Sequence, residues 1–408
     1  MRLLQQGFLF PALIFGFYAL ILVAPDSYEV FAAALVLLAL AVIVFVRPRL
    51  VCGWDLWFVG FLALYPFSLL PSFAVRGGVF DYLDYPIRCL LCIPLVVGLR
   101  VHSAREWVEK SLFMGASVGG IGAGLFSLKS LLLDHVGRVG LPLTNPIAYG
   151  QVAAILAILA LASFLRFDRV WCRSLSAVGF LGAVYAVYGS GSAGALLGLA
   201  FGLGGELVVF LGSSFSGRQK SLVLALVAAA VAIVIPLASF KLAQVLSDFH
   251  AYSLGHGMGT SQGQRLLLWG MALREIAHSP WLGIGPGHFD GVMHHYCLEN
   301  LCNEDFRGFR GVHNQYLDSF MNGGVVALLG LLTSFLLPLA LFLRCAWKSE
   351  RFASISALAG FAVIVAAMVS ALSQISYGHN ISVFSYFYTI SILWIVATPC
   401  CDRMPLKL

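Results

Sequence analysis

Two histidine-containing motifs carry the residues whose types and spacing best suit catalysis. Residues 283–289 read Gly-Ile-Gly-Pro-Gly-His-Phe and include His288, and a second motif, His-Asn-Gln-Tyr-Leu, opens at His313 and includes Asn314 and Tyr316. A glycine-rich turn lets the backbone approach a ligand closely. Imidazole has an ordinary pKa of ~6.5, so His313 is a candidate general base for a hydroxyl proton. The alternative, left open by position alone, is a histidine that anchors a helix end.

Arginines form the second candidate group. We predict that Arg265, Arg138, Arg76 and Arg88 lie on the same side of a membrane as these motifs. A guanidinium group binds two oxygens of a phosphate and keeps its charge, so the four favour a phosphate-containing ligand. Any one of them taken singly could instead extend to lipid headgroups.

The composition determines which kind of element must position these residues. Of the 408 residues, 60% are hydrophobic and 11% charged, with a mean hydropathy of +0.90, whereas a soluble domain carries about 25% charged residues. Many apolar runs approach the roughly 20 residues that cross a ~30 Å hydrocarbon core. Lipid leaves backbone groups without solvent partners, so such runs are helices and not barrel strands. The sequence predicts an all-α integral membrane protein.

We predict about twelve transmembrane helices. The first nine occupy residues 1–239 and the last three residues 313–408, and residues 240–312, called the large loop below, separate them on the periplasmic side. The predicted spans are 8–24, 29–46, 54–73, 86–99, 111–132, 147–165, 174–189, 193–211, 221–239, 316–343, 353–375 and 381–398.

The distribution of basic residues predicts the orientation. With a cytoplasmic N-terminus, 16 of the 25 Lys and Arg residues fall in short inner segments. This asymmetry places both termini in the cytoplasm. The net charge of +6 therefore reflects membrane topology and does not indicate a nucleic-acid partner.

The large loop is rich in aromatic residues, leucine and glycine, which predicts a folded segment containing helices. Ser261 followed by Gln264 resembles a capping box, and the helix that it opens is predicted to end near His278, before Pro280.

The cysteines of the large loop are Cys297 and Cys302. In an oxidising compartment they are a disulfide candidate, although spacing alone does not decide the pairing. No Cys-x-x-Cys pair with matching histidines is present, so we expect no structural zinc site.

The order of these motifs resembles that of the O-antigen ligase family and its polymerase relatives. The resemblance is carried by Arg265-Leu-Leu-Leu-Trp269, Pro280-Trp-Leu-Gly-Ile-Gly-Pro-Gly-His-Phe289, His313-Asn-Gln-Tyr-Leu317 and the Gly323-Gly324 pair. It extends to Arg138 with Asn145-Pro146 and to the Ser-Gly-Ser-Ala-Gly turn at residues 190–194.

The resemblance implies a metal-independent, inverting glycosyltransferase of GT-C-like architecture that needs no cofactor. It would transfer a glycan from undecaprenyl diphosphate to a sugar hydroxyl of lipid A–core, at the periplasmic face of a bacterial inner membrane and among membrane lipids. His313 matches the family's essential histidine and Arg265 its loop arginine. The substrate-binding candidates are Arg138, Arg76, Arg88, Asn314, His288 and Tyr316.

One departure from the family pattern concerns the turn before the eighth span. The family usually has an arginine there, but this chain has Ala193. Either another arginine, such as Arg138 or Arg76, supplies that charge, or the match to the family pattern is out of register at this turn.

Three other interpretations remain. A polymerase of the same family uses the same kind of donor and differs in its acceptor; the arginines on short outer loops mildly favour a ligase. A transporter is suggested by twelve spans and by Glu206 inside one of them, but we find no internal repeat, and the large loop is unusual for that class. A metal-dependent enzyme would use Asp26 and Glu29, which we interpret as a solvated turn.

Overall fold

The computed structural model describes residues 8–46, 53–101, 105–211, 216–254, 260–298, 306, 309–348 and 351–398. These ranges fold into helices and contain no extended strand, which confirms the predicted all-α class. The α-helices are α1 Leu9–Leu20, α2 Ser27–Val46, α3 Gly53–Ser68, α4 Leu70–Arg76, α5 Phe80–Arg88, α6 Cys92–Val101, α7 Arg105–Leu132, α8 Pro146–Arg166, α9 Val170–Ser190, α10 Ala193–Leu211, α11 Gly217–Ser253, α12 Ser261–His278, α13 Phe289–Leu298, α14 Gln315–Lys348, α15 Arg351–Ser370 and α16 Asn380–Ala397.

The bundle has the features of a polytopic membrane protein. Within the described ranges, nine helical stretches are long and apolar enough to span a membrane, and three shorter apolar helices lie at Leu9–Leu20, Ala193–Val208 and Ser354–Ser370. Each predicted span overlaps one of these twelve stretches. Large apolar side chains such as Leu37, Trp57 and Val208 are exposed on the outer surface, as expected for a surface that faces lipid.

Two helices form the centre of the bundle, and glycines allow the closest packing around them. Side chains of α8 are buried on all sides, and those of α16 are buried from Ile381 to Ala397. Beside them α7 and α9 cross in backbone contact, since a Cβ on Gly120 would lie 2.3 Å from the carbonyl oxygen of Gly179. Small residues at such crossings are typical of helices packed within a membrane.

The helix before the large loop is longer than predicted. We expected the span to end at residue 239, but α11 continues to Ser253 and has 37 residues. At 1.5 Å per residue it is about 55 Å long, well beyond a ~30 Å hydrocarbon core. The final turns of α11 therefore extend out of the bundle toward α12.

The predicted loop helix is present as α12, with a corrected cap. The side-chain oxygen of Thr260 accepts a hydrogen bond from the Gly263 N–H at 3.0 Å, and Thr260 has extended backbone angles. Ser261 is already helical, so the predicted capping pair of Ser261 and Gln264 was wrong by one residue. An N-cap must have non-helical backbone angles, which explains why the cap is Thr260.

A second, smaller core joins the loop helices to α14. Leu268, Met271, Ala272 and Ile276 of α12 are buried together with Phe289, Met293, Phe306, Val312 and Met321. The described part of the large loop is thus folded against the start of α14. We call this end of the bundle the loop end.

Candidate active site

His313 lies in a tight turn that is clamped from two sides. Its φ is +52°, a left-handed conformation that is uncommon outside glycine. The indole Nε1 of Trp269 on α12 donates to the carbonyl oxygen of Val312 at 3.0 Å. The Gln315 N–H donates to the carbonyl oxygen of Ala371 at 2.8 Å. The turn is therefore tied both to the loop helices and to the segment between α15 and α16.

The imidazole of His313 has defined neighbours. Its Nδ1 lies 2.9 Å from Oε1 of Gln374, and the ring of Phe309 packs edge-on at 5.1 Å between centroids. Burial lowers the pKa of His313 below its ordinary value, the hydrogen bond to Gln374 opposes that change, and the charge of Arg265 lowers the pKa further. The neutral form, which can accept a proton, therefore predominates at pH 7.

Three cations lie within electrostatic range of one another, and one of them, Arg265, also acts on His313. Arg265 is on α12, Lys241 on the extended part of α11, and Arg138 in the connection between α7 and α8. Burial lowers the pKa of Arg265, and the charge of Arg138 acts in the same direction. Lys241 lies within electrostatic range of both arginines. We call these three residues the cation cluster.

No described carboxylate lies within salt-bridge distance of the cation cluster, although the charge of Asp248 acts on Lys241 at longer range. Arginines at the other end of the bundle differ in this respect. There, Arg100 is held by Asp55, and Arg166 lies 2.7 Å from Glu109. Among the described residues no salt bridge forms to Arg138, Arg265 or Lys241. Half-buried charges of one sign destabilise each other unless an opposite charge joins them. The cluster is therefore a candidate site for an anionic ligand.

The turn at Ala193 explains the position of Arg138. Gly191 adopts a left-handed conformation with φ +60°, and the side chain of Arg138 packs on it. Nε of Arg138 donates to the carbonyl oxygen of Ser190 at 2.9 Å. A guanidinium group from another segment thus lies on the turn where Ala193 departs from the family pattern.

The other two predicted arginines lie elsewhere. Arg76 donates to the hydroxyl of Ser279 at 3.0 Å. Arg88 pairs with Asp84, one helical turn before it on α5. The structure links Arg138 to Arg265 and Arg265 to His313. Among the described residues, the contacts of Arg76 and Arg88 are with other side chains.

The glycine-rich turn packs against protein backbone. The Ile284 N–H donates to the Met321 carbonyl at 2.8 Å, and a Cβ on Gly283 would lie 2.3 Å from the same oxygen. On the facing side α14 breaks at Gly324, which has φ +68°. A Cβ there would lie 2.1 Å from the carbonyl oxygen of Trp281. The sequence suggested that the turn at residues 283–289 approaches a ligand. In the structure, Gly283 and Gly324 allow a close backbone crossing that joins the large loop to α14.

Three further predicted residues brace the site. Asn314 caps α14, since its Oδ1 accepts from the Tyr316 N–H at 3.0 Å. The Tyr316 hydroxyl donates to the Met368 carbonyl at 2.9 Å. Nδ1 of His288 lies 3.0 Å from the Ile284 carbonyl oxygen within its own turn. These contacts support the turns around His313.

The structure describes one of the two cysteines of the predicted disulfide. Cys297 is disulfide-bonded, and Cys302, its predicted partner, lies outside the described residues. Cys89, Cys92, Cys172 and Cys345 are free and buried, as expected of small apolar side chains.

The carboxylates of the rival interpretations lie away from the cation cluster. Asp26 and Glu29 are exposed at the start of α2. Glu206 is buried within α10, and neither carboxyl oxygen has a hydrogen-bond partner in the described part of the chain. Within the same ranges no group of three or more His, Cys, Asp or Glu residues is arranged to hold a metal ion.

Sequence reasoning missed two neighbours of His313, Gln374 and His379, and it missed Lys241 as the third member of the cation cluster. The first two follow the His313 motif by more than 60 residues and belong to no recognisable spacing. Lys241 was counted on the outer side but not singled out, because a lone lysine after a span usually faces headgroups.

Comparison with known proteins adds to this geometry. Residues 178–332 match the family model described as O-antigen ligase. This match supports the O-antigen ligase family. The matched stretch includes Arg265, His288 and His313 and begins within α9, so the predicted resemblance is confirmed. An uncharacterized protein of Haemophilus influenzae is 24% identical over 383 residues, which are 91% of this chain and 94% of that protein.

Proposed function

We propose that this protein transfers a glycan from undecaprenyl diphosphate to a sugar hydroxyl of lipid A–core, as an O-antigen ligase at the periplasmic face of a bacterial inner membrane. The observation that carries the proposal is the imidazole of His313, held by Gln374 and within electrostatic range of Arg265. The stretch matched by the family model contains both His313 and Arg265. An activated donor requires a stabilised leaving group and an activated acceptor. The site offers one group of residues for each task.

The proposed reaction is a single inverting displacement. The acceptor hydroxyl oxygen attacks the anomeric carbon and forms the new glycosidic bond, while the bond from that carbon to the diphosphate oxygen breaks. The electron pair leaves with the diphosphate, whose charge meets Arg138, Arg265 and Lys241. Such preorganised charges favour a transition state in which negative charge develops. Nε2 of His313 accepts the hydroxyl proton.

The direct test is reconstitution of the purified protein. It is incubated with polyprenyl-diphosphate glycan and with lipopolysaccharide core that lacks O-antigen. A ligase moves the glycan to the core lipid, and this is the expected result. A longer glycan on the polyprenyl carrier would identify a polymerase. Movement of unchanged lipid between leaflets, without a new glycosidic bond, would identify a transporter.

A charge-relocation experiment tests the role of Arg138. We expect Arg138→Ala to lower kcat/KM for the donor by roughly 10²-fold, the lower range for loss of one transition-state contact. Adding Ala193→Arg to that variant should restore part of the loss, because it returns a guanidinium to the same turn. Lys129→Ala is the control, since Lys129 is exposed and pairs with Asp134. Absence of any loss in Arg138→Ala would contradict the role.

Chelation tests the choice of arginine over metal as the counter-charge. We expect glycan transfer to be unchanged by excess EDTA, because fixed guanidinium groups face the proposed diphosphate position. The measurement is the initial rate with and without EDTA, followed by readdition of Mg²⁺ or Mn²⁺. Loss of activity that either ion restores would identify a metal-dependent enzyme.

A further inference from the structure

A side chain from outside the O-antigen ligase domain holds the ring of His313. Gln374, in the segment that joins α15 to α16, is buried, and its Oε1 lies 2.9 Å from Nδ1 of His313. Nε2 of Gln374 lies 2.7 Å from Nε2 of His379, the residue before α16. The three side chains form a linear chain, which we call the His-Gln-His chain.

The chemistry of the amide determines where the protons lie. An amide oxygen only accepts hydrogen bonds and an amide nitrogen only donates them. Because Oε1 of Gln374 faces His313, Nδ1 of His313 carries the proton. Because Nε2 of Gln374 faces His379, Nε2 of His379 accepts and that ring is neutral. Nε2 of His313 then holds the ring's free lone pair, and no described residue forms a hydrogen bond with it.

We propose that Gln374, oriented by His379, is the positioning residue that fixes His313 in the tautomer whose Nε2 acts as the base. The inference rests on the proposed function. If the amide turned over, Nδ1 of His313 would become the acceptor and Nε2 would carry the proton, so the ring could not receive one from a hydroxyl. That reversal also requires a change of tautomer in His379.

The charges around His313 make its proton affinity sensitive to residue 374. Arg265 faces His313 from α12, and His379 faces it from the segment before α16. Asp318 of α14 lies beside Gly311, and the exposed Arg310 precedes the turn. The amide oxygen of Gln374 offers the imidazolium only a partial negative charge. A full charge at this position should change the pH dependence of catalysis.

The first test is the pH profile of kcat in Gln374→Glu. A carboxylate accepts from Nδ1–H of His313 and from Nε2–H of His379, so the tautomer of His313 is kept. Its negative charge stabilises the imidazolium and raises the pKa of His313 by about 1–2 units. The base works when deprotonated, so the rate falls as pH drops through this pKa. The acidic limb, expected below about pH 6.5 in the wild type, should move upward by the same amount, with the alkaline plateau retained.

The second test is a double-mutant cycle with His379→Ala. In the wild-type background, His379→Ala removes the group that orients Gln374, so the side-chain amide of Gln374 can rotate by about 180°. We expect kcat to fall about tenfold or more, since a wrong tautomer disables a histidine base. In the Gln374→Glu background it should cost much less, because the two oxygens of a carboxylate are equivalent. A residue that acts only through packing would give equal losses in both backgrounds.

Gln374→Met is the alternative test if the Gln374→Glu protein does not fold. It has a similar length and no carbonyl acceptor, so kcat should fall about tenfold or more while KM for the donor stays constant. Wild-type kcat in Gln374→Met, superimposable pH profiles for wild type and Gln374→Glu, or equal losses in the cycle would each overturn the inference. A wild-type protein that transfers no glycan would instead contradict the proposed function.

Discussion

Replacement of His313 by alanine is expected to lower kcat for glycan transfer by roughly 10²- to 10⁴-fold, the usual contribution of a general base. The physical reason is that the acceptor hydroxyl would have no group to receive its proton. KM for the polyprenyl-diphosphate donor should change little, because the cation cluster is intact. The measurement is initial-rate kinetics on purified protein, with membrane insertion and Tm recorded for each variant.

The control for this experiment is His294→Gln. His294 lies on α13 within the same loop, is exposed, and does not contact His313. It should retain wild-type kcat. Wild-type transfer by His313→Ala would remove the base hypothesis and leave His313 as a residue that only shapes its turn.

Replacement of Arg265 by alanine has the second largest expected effect, a loss of about 10²- to 10³-fold in kcat/KM for the donor. Its guanidinium is desolvated and has no acidic partner in the described part of the chain, so we expect its main interaction to be with the diphosphate. Arg265→Lys should recover only part of the activity, because a lysine keeps the charge but cannot bind two oxygens in a fixed plane.

The stability of the Arg265 variant distinguishes a binding role from a structural one. Removal of one of the three neighbouring positive charges relieves repulsion with Arg138 and Lys241, so Tm should equal or exceed that of the wild type. Residues kept for function at a cost in stability behave in this way. Arg274→Ala, an exposed position on the same helix, is the matched control for activity. A lower Tm in Arg265→Ala with unchanged donor kinetics would contradict the assignment.

The two ends of α12 show which features of a helix are determined by neighbouring residues. The helix ends where Pro280 and the turn residues predicted, because termination depends on neighbouring residues. Its cap was misplaced by one residue, because Thr260 and Ser261 have equivalent hydroxyls. Only the backbone angles at Thr260 decide which hydroxyl is used.

The glycines show a feature that neighbouring residues do not determine, namely which group packs against them. From the sequence, residues 283–287 fit a ligand-binding turn as well as they fit tight packing. The structure assigns Gly283 and Gly324 to one backbone crossing between the loop and α14. A glycine indicates that something approaches closely, but only the fold shows what does.

The sequence by itself determined that this chain is helical, suited to a membrane and equipped with a histidine motif of the O-antigen ligase type. These properties depend on the length of apolar runs and on residues near one another in the chain. The tertiary structure alone decided that Arg138, rather than Arg76 or Arg88, joins Arg265, and that Gln374 and His379 hold His313. Those contacts join segments far apart in sequence, and the packing of the helices that carry them determines which side chains meet.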